Sequence, residues 1–305
     1  MQPGYLKLLE RGDLEERISL LSQHYSACSL CPHRCGSNRL DGQTGNCRSG
    51  PLAKVASYNT HRGEEPPVSG YEGSGTIFFS GCSGRCIFCQ NYPISQLNTG
   101  NPVSEKRLAG MMLELQKRGC HNINLVTPTH FLPSIVHAIS IAAQCGLRLP
   151  IVYNTSGYER VETLRLLDGI VDIYLPDIKY MDDTIASELS GFTHYIAYNQ
   201  TALKEMFRQV GNLEIVEGIA VKGIIIRHLI LPDNLSGTCD AMAFLANELS
   251  PDVYISLMDQ YFPAYKAQFH PRLSRGITLN EYNAAIDDFE SNGLHNGWIQ
   301  EHVAP

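Results

Sequence analysis

The sequence contains no long hydrophobic run and no excess of positive charge. No stretch of its 305 residues approaches the roughly 18 apolar residues that a membrane-spanning helix needs, and no apolar signal region stands near the start. Only 24 Lys and Arg residues stand against 31 Asp and Glu residues, whereas a nucleic-acid-binding surface usually carries a basic stripe. We therefore expect a cytoplasmic protein with neither a membrane nor a nucleic acid as its partner.

Cysteine, by contrast, is abundant. Seven of the ten cysteines fall into two clusters, and clustered cysteines in a reducing compartment bind metals or do chemistry rather than pair as disulfides. The other three, Cys120, Cys145 and Cys239, stand alone in helix-like segments, and we expect them to serve packing. The two clusters are therefore the candidate sites.

The later cluster has the spacing C-x3-C-x2-C, formed by Cys82, Cys86 and Cys89, with no fourth cysteine nearby. A [4Fe–4S] cluster usually takes four cysteines, so three thiolates on one tight loop would leave one iron open to a ligand. The apolar run before it, residues 75–79, predicts a buried strand. The alternatives are a zinc site with a distant fourth ligand and buried thiols without a metal.

The earlier cluster has the spacing C-x2-C-x3-C-x11-C, formed by Cys28, Cys31, Cys35 and Cys47. Four thiolates at these intervals suit either tetrahedral zinc or a second iron–sulfur cluster. A site with four protein ligands is closed, which indicates a structural or electron-transferring role. The alternative is a set of free cysteines in a small subdomain.

Strand-like and helix-like segments alternate after residue 75. Six such units predict an α/β fold with a parallel sheet and right-handed crossovers, although the pattern does not separate a partial barrel from a doubly wound sheet. The strands are predicted at residues 76–80, 122–126, 150–154, 171–176, 221–231 and 253–258. The predicted division is a helix and Cys-rich segment over 1–56, a linker loop over 57–74, a core over 75–263 and an extension over 264–305.

The motif Cys-Ile-Phe-Cys-Gln-Asn around Phe88 resembles the radical S-adenosylmethionine (SAM) superfamily, and within it the branch related to pyruvate formate-lyase activating enzymes. The resemblance covers roughly residues 76–263 and implies a partial (β/α)6 TIM-like barrel. It implies that the open iron binds SAM, that one electron cleaves SAM to a 5′-deoxyadenosyl radical, and that this radical abstracts hydrogen from a substrate. Phe88 would pack near the adenine.

The resemblance also points to the strand ends. Where activating enzymes carry Gly-Gly-Glu-Pro, this sequence has Thr127-Pro128-Thr129-His130, whose polar side chains are candidates to accept from the SAM ammonium group. Asn154 and Ser156 match a polar group that contacts the methionine part. Three charged residues are further candidates to hold SAM. Asp177 and Lys179 match an Asp-x-Lys run of the activating enzymes, and Arg227 interrupts an apolar strand. Glu64 and Glu65 are expected to form a solvated acidic loop.

Two functions follow from these features. The first is a radical SAM enzyme that receives electrons from a flavodoxin- or ferredoxin-type donor and acts on a glycyl radical enzyme, another protein, a peptide or a small molecule. The second is a non-catalytic iron–sulfur protein that transfers electrons or acts as a scaffold. The sequence does not identify the substrate, because no specificity pocket can be read from it.

Overall fold

The computed structural model describes residues 2–300. Met1 and residues 301–305, the end of the predicted C-terminal extension, lie outside the described residues. Within the described part, the sheet has ten strands in the order β10-β9-β8-β6-β5-β4-β2-β1-β3, and β7 pairs with β8. The strands are β1 (Ala53–His61), β2 (Ser74–Phe79), β3 (Asn101–Val103), β4 (Ile123–Val126), β5 (Ile151–Thr155), β6 (Ile173–Pro176), β7 (Glu214–Val216), β8 (Ile219–Leu229), β9 (Tyr254–Met258) and β10 (Gly297–Ile299).

The helices lie mainly between the parallel strands. They are α1 (Gly4–Arg11), α2 (Asp13–Ser22), α3 (Pro66–Ser69), α4 (Tyr92–Ser95), α5 (Glu105–Lys117), α6 (Leu132–Gln144), α7 (Val161–Arg165), α8 (Asp183–Ser190), α9 (Tyr195–Val210), α10 (Thr238–Glu248) and α11 (Leu279–Ser291). Ser104 begins α5 as an N-cap, since its hydroxyl accepts from the backbone N–H of Arg107.

The predicted fold class is confirmed. β2, β4, β5, β6, β8 and β9 are six parallel neighbours in chain order, as the six strand–helix units indicated. The sheet does not close: at one edge β1 pairs antiparallel with β2 and β3 pairs antiparallel with β1, and at the other edge β10 adds in parallel to β9. The result is an α/β sheet consistent with a partial TIM-like barrel.

The stretch expected to be a linker loop, residues 57–74, contains regular structure. β1 runs through its first part as far as His61, and α3 occupies Pro66–Ser69. The expectation of a loop is corrected there, because backbone pairing with β2 prevails over the turn-forming Gly and Pro residues that follow. The remaining division of the chain into segments stays a prediction.

A small apolar cluster lies on the same face of the sheet as the cavity described below. It contains Val68 of α3 together with Ile173, Leu175 and Ile225 of the strands. Side-chain alternation places Ile173 and Leu175 on the face of β6 that also carries Asp177. The segment between β1 and β2 therefore inserts Val68 into the concave side of the sheet.

None of the helices within residues 2–300 is both long enough and apolar enough to cross a bilayer.

Candidate active site

The cysteines of the C-x3-C-x2-C motif lie directly beyond the C-terminal end of β2. Their side chains line one cavity of about 400 Å³, within the size range of small-molecule sites. The same cavity is lined by residues from the ends of β4, β5 and β6 and by β8. In a parallel α/β sheet this edge is where ligands bind, because the strand ends and their loops converge there.

Each of the three sulfurs has a polar neighbour. The hydroxyl of Ser190 donates to Cys86 Sγ at 2.9 Å, the hydroxyl of Ser95 lies 3.1 Å from Cys89 Sγ, and the backbone N–H of Gly84 donates to Cys82 Sγ at 3.3 Å. Burial raises the pKa of Cys82 to about 12 and that of Cys86 to about 11. The free thiols of Cys82 and Cys86 therefore stay protonated at neutral pH, and a bound metal centre would stabilise both as thiolates.

The three cysteines supply a set of ligands that fits an iron–sulfur cluster. A single zinc ion needs its ligands about 2.3 Å from one centre, whereas a [4Fe–4S] cluster binds each thiolate at a different iron. Three sulfurs that surround a cavity on one loop match the second arrangement.

Phe88 lies at the cavity wall and is 6% exposed. Its ring meets Tyr261 edge to face, with the ring centroids 6.0 Å apart. Gln260 lines the cavity beside it, and the Gln90 side chain donates to the Gln260 carbonyl. The chain that follows β9 therefore packs against the cysteine loop and forms an aromatic and amide-bearing wall.

Asp177 and Lys179 form an ion pair at the end of β6. Lys179 Nζ lies 2.6 Å from Asp177 Oδ2, and both side chains are only 18% exposed. Burial alone would lower the pKa of Lys179, but the Asp177 carboxylate raises it overall, so the lysine is charged. Both residues line the cavity, and their charges compensate each other there.

Asn154, Ser156 and Thr127 also line the cavity. The backbone N–H of Thr127 donates to the Asn154 carbonyl at 2.9 Å, which joins the ends of β4 and β5. Thr127 has φ 58°, a left-handed conformation that is unusual for a β-branched residue. Thr127 is therefore strained, because glycine is the residue that adopts such a conformation without cost.

Replacing Thr127 with glycine is expected to stabilise the fold. Release of the strain should outweigh the added chain entropy of glycine, for a net gain of about 1 kcal/mol in the free energy of unfolding. Thr127→Ala is the matched control, because it removes the same hydroxyl but keeps a Cβ in the left-handed conformation. Urea unfolding of both variants measures the difference, and equal stabilities would contradict the assignment of strain.

Thr129 and His130 do not reach the cavity. Thr129 is 3% exposed and its hydroxyl donates to Glu159 Oε1 at 2.5 Å, while His130 is 2% exposed and its Nε2 lies 2.8 Å from the Ser80 carbonyl. Burial lowers the pKa of His130 to about 4 and raises that of Glu159 to about 7. The strand end turns both side chains behind the cavity wall, so the structure gives neither a position beside SAM.

Arg227 lines the cavity and bonds two carboxylates. Its Nε lies 2.7 Å from Glu65 Oε1, and its Nη2 also bonds Glu64. Glu64 and Glu65 side chains are 7% and 5% exposed, so the expectation of a solvated acidic loop was wrong. Burial alone would lower the pKa of Arg227, but Glu65 and Glu64 raise it overall, which keeps it charged.

The pairing of Arg227 with Glu64 and Glu65 was missed by sequence reasoning. Asn124 of β4 donates from Nδ2 to Glu64 Oε1 at 2.9 Å, which fixes the carboxylate between two strands. The signal that could have revealed it is the unpaired charge of Arg227 in an apolar strand, because a buried arginine needs anionic partners. The ion pair joins residues more than 160 positions apart, so spacing alone gave no hint of it.

The four cysteines of the N-terminal cluster lie apart from the cavity. Cys28 and Cys47 are buried, Cys31 is partly buried and Cys35 is exposed. A single buried side chain, Arg39, donates to Cys28 Sγ at 3.0 Å and lies 3.7 Å from Cys47 Sγ. The segment is therefore folded around its cysteines and not disposed as a loose tail.

Comparison with known proteins agrees with the geometry of the cavity. Residues 76–220 match the family described as the Radical SAM superfamily. An uncharacterized protein of Methanocaldococcus jannaschii is 30% identical to the chain over 304 residues, which cover 95% of this chain and 82% of that protein. Residues 76–220 of the chain therefore form a domain of the radical SAM superfamily, whose members are enzymes that use a [4Fe–4S] cluster and SAM.

Proposed function

We propose that this enzyme cleaves SAM at the three-cysteine loop and uses the resulting radical to abstract hydrogen from a substrate. The observation that carries the proposal is one cavity that brings together Cys82, Cys86 and Cys89 with the polar ends of β4, β5 and β6. The cluster, when bound, would supply one electron that splits SAM into methionine and a 5′-deoxyadenosyl radical. The protein itself binds, orients and excludes water.

The cavity residues divide into two groups by their chemistry. Phe88 offers an apolar ring for the adenine, as the resemblance implies. Asn154, Ser156 and Thr127 offer oxygens to the ammonium and hydroxyl groups of SAM, and Lys179 offers a donor to its carboxylate. Because Thr127 lines the cavity and Thr129 and His130 do not, Thr127 is our candidate to replace the missing Gly-Gly-Glu motif.

The charge of the cavity also favours SAM. The site contains three carboxylates and two cations that form ion pairs. The carboxylates belong to Glu64, Glu65 and Asp177, and the cations are Lys179 and Arg227. With all five charged, the set carries one net negative charge. Liganding thiolates add further negative charge, whereas SAM brings a positively charged sulfonium and an ammonium. Electrostatic attraction in a partly enclosed site therefore supports binding of a cationic ligand.

The proposal extends to partners and to the second cysteine cluster. A ferredoxin- or flavodoxin-type protein would supply the electron. The hydrogen donor would be a glycyl residue of a glycyl radical enzyme, another protein or peptide, or a small molecule. Cys28, Cys31, Cys35 and Cys47 would bind zinc or a second iron–sulfur cluster. The competing function, a non-catalytic iron–sulfur protein, predicts no open iron and no reaction with SAM.

The test is product formation from SAM. The protein is reconstituted with iron and sulfide without oxygen, reduced, and incubated with SAM; 5′-deoxyadenosine and methionine are then measured by mass spectrometry. We expect both products in equal amounts, and none without reductant. Absence of both products from a protein with an intact reduced cluster would favour the non-catalytic function. Deuterium transfer from a candidate substrate into 5′-deoxyadenosine would then identify the substrate class.

A further inference from the structure

We propose that the N-terminal cysteines, Cys28, Cys31, Cys35 and Cys47, hold a second iron–sulfur cluster that passes electrons inward to the three-cysteine loop. The inference rests on the proposed function in one respect, since the receiving centre is the cluster at which SAM would be cleaved. Arg39 balances the charge of this second cluster, and electrons flow from the second cluster to the cluster of the three-cysteine loop.

Arg39 is the first observation. The side chain is 2% exposed, and its guanidinium donates to Cys28 Sγ, to the His130 carbonyl and, at 3.7 Å, towards Cys47 Sγ. None of these partners is a carboxylate. A buried arginine without an anion is costly, and neutral thiols do not supply one. Thiolates in a metal centre would supply the missing negative charge at the place where the guanidinium points.

Unpartnered polar atoms around the segment are a second and independent observation. Of the five buried side-chain atoms without a hydrogen-bond partner among residues 2–300, three belong to Arg39, His130 and Arg160. Arg160 also donates to the Ser29 carbonyl, and His130 accepts from Arg39, so all three surround the cysteine segment. Buried polar atoms are rarely left without partners in a folded protein, and their grouping here indicates a group that binds between them.

The position of the segment favours an iron–sulfur cluster over zinc. Zinc has no redox chemistry, whereas iron–sulfur clusters gain and lose electrons at potentials that the protein sets. A group that lies between solvent and a second redox centre is placed for electron transfer.

The inner side of this segment touches the three-cysteine loop. A Cβ placed on Gly81 would lie 2.6 Å from the Cys47 carbonyl, so the two backbones are in contact one residue before Cys82. Asn46 Nδ2 and His33 Nε2 both lie within 2.8 Å of the Ser83 carbonyl. The two segments that carry the cysteine sets are therefore in direct contact.

The outer side of the segment faces solvent. Cys35 is exposed, whereas Cys28 and Cys47 are buried on the side of Arg39. An external protein can therefore approach the second cluster at Cys35, while the three-cysteine loop lies farther inside. This order from surface to cavity fits inward transfer of an electron.

The electron balance is simple. A reduced ferredoxin- or flavodoxin-type donor loses one electron to the N-terminal cluster and is oxidised. The N-terminal cluster passes that electron to the cluster of the three-cysteine loop and returns to its oxidised state. No bond forms or breaks at the N-terminal site, and no proton is required there.

The first experiment counts metal in the full-length chain after anaerobic reconstitution. We expect about eight irons per chain in the wild type and in Cys145→Ala, and about four in each of Cys47→Ala and Cys82→Ala. Cys145 is an exposed cysteine outside both sets and serves as the matched control. About four irons with one zinc in the wild type, or an unchanged iron count in Cys47→Ala, would overturn the second cluster.

The variants Cys82→Ala and Cys47→Ala test SAM cleavage and the N-terminal cluster separately. If Cys82→Ala keeps the wild-type iron count and no SAM is cleaved, the proposed function fails. A loss of about four irons in Cys47→Ala would still support the N-terminal cluster.

The second experiment tests the relay by two routes of reduction. Cys47→Ala is expected to lose reduction of the remaining cluster by a flavodoxin-type donor but to keep reduction by dithionite, both followed by electron paramagnetic resonance. Equal donor-driven rates in the wild type and the variant would overturn the relay.

Arg39→Gln should lower the reduction potential of the N-terminal cluster, because a positive charge beside it is lost, whereas Arg39→Lys should not. An unchanged potential in Arg39→Gln would contradict the role of Arg39.

Discussion

Replacing Cys86 with alanine is expected to abolish SAM cleavage. Cys86 is one of only three thiols that line the cavity, so its loss leaves two protein ligands for a cluster that already has one open iron. The cluster of this loop should fail to assemble, and 5′-deoxyadenosine should fall to the level found without reductant. Absorption spectroscopy and product analysis on the reconstituted variant measure both effects.

The control for this prediction is Cys145→Ala. Cys145 follows α6, is exposed and lies outside both cysteine sets, so its loss removes a thiol without removing a cavity ligand. Iron content and SAM cleavage should match the wild type. If Cys86→Ala retained the wild-type spectrum and turnover, the ligand assignment would have to be abandoned.

Replacing Arg227 with methionine is expected to cost about 3–5 kcal/mol in the free energy of unfolding, because it leaves buried carboxylates without their cation. Glu64 and Glu65 both bond the guanidinium, and neither is exposed enough to be solvated in its place. Urea denaturation at neutral pH measures the loss. Arg227→Lys should recover part of it, since an ammonium keeps the charge but cannot bond both carboxylates in the same fork geometry.

A triple variant tests the cause of this loss. Combining Arg227→Met with Glu64→Gln and Glu65→Gln removes the uncompensated charges, so most of the lost stability should return. A triple variant as unstable as Arg227→Met would show that packing of the arginine, not its charge, is what matters.

The pH dependence of Arg227→Met follows from Glu65. In the wild type, burial alone would raise the pKa of Glu65, but Arg227 lowers it overall. The carboxylate therefore contributes stability that is present at neutral pH and is lost as the pH falls through its folded pKa. Without Arg227, only hydrogen bonds from the Glu65 backbone and from Ser256 still oppose the effect of burial, so the pKa of Glu65 rises and the variant should gain stability as the pH falls. The difference between the two proteins should narrow in acid.

The six parallel strands could be predicted because each is a short apolar run followed by a helical pattern. That pattern depends only on residues close together in the sequence. Because both faces of a parallel sheet are buried, the apolar run of each strand is nearly continuous. Asp177, Lys179 and Arg227 could be predicted as cavity residues for a related reason: charges that end or interrupt an apolar strand need partners, and these three found them.

β1 could not be recognised in the same way. Its pairing with β2 shifts between Val55 and Ser57, which stand opposite the adjacent residues Phe79 and Phe78. Such a bulge breaks the alternation of inward and outward side chains on which a strand prediction depends. β3, β7 and β10, with three residues each, are too short to show any periodicity.

Long-range charge pairing was the other information that the sequence did not reveal. Glu64 and Glu65 stand between Gly and Pro residues, as a solvated loop would, and only the fold brings them to Arg227. The same holds for Thr127 and His130, which are three residues apart: a tight turn after β4 sends one side chain into the cavity and the other behind its wall. Neither outcome depends on local propensity.

The Arg227 ion pairs have a consequence for the shape of the cavity. The backbone of Arg227 pairs with that of Asp177 where β8 and β6 end, and its guanidinium bonds Glu64 and Glu65, which lie between β1 and α3. The connection between β1 and β2 is therefore tied to the parallel strands by one side chain. Because Glu64 and Arg227 both line the cavity, this tie also fixes the position of one part of its wall.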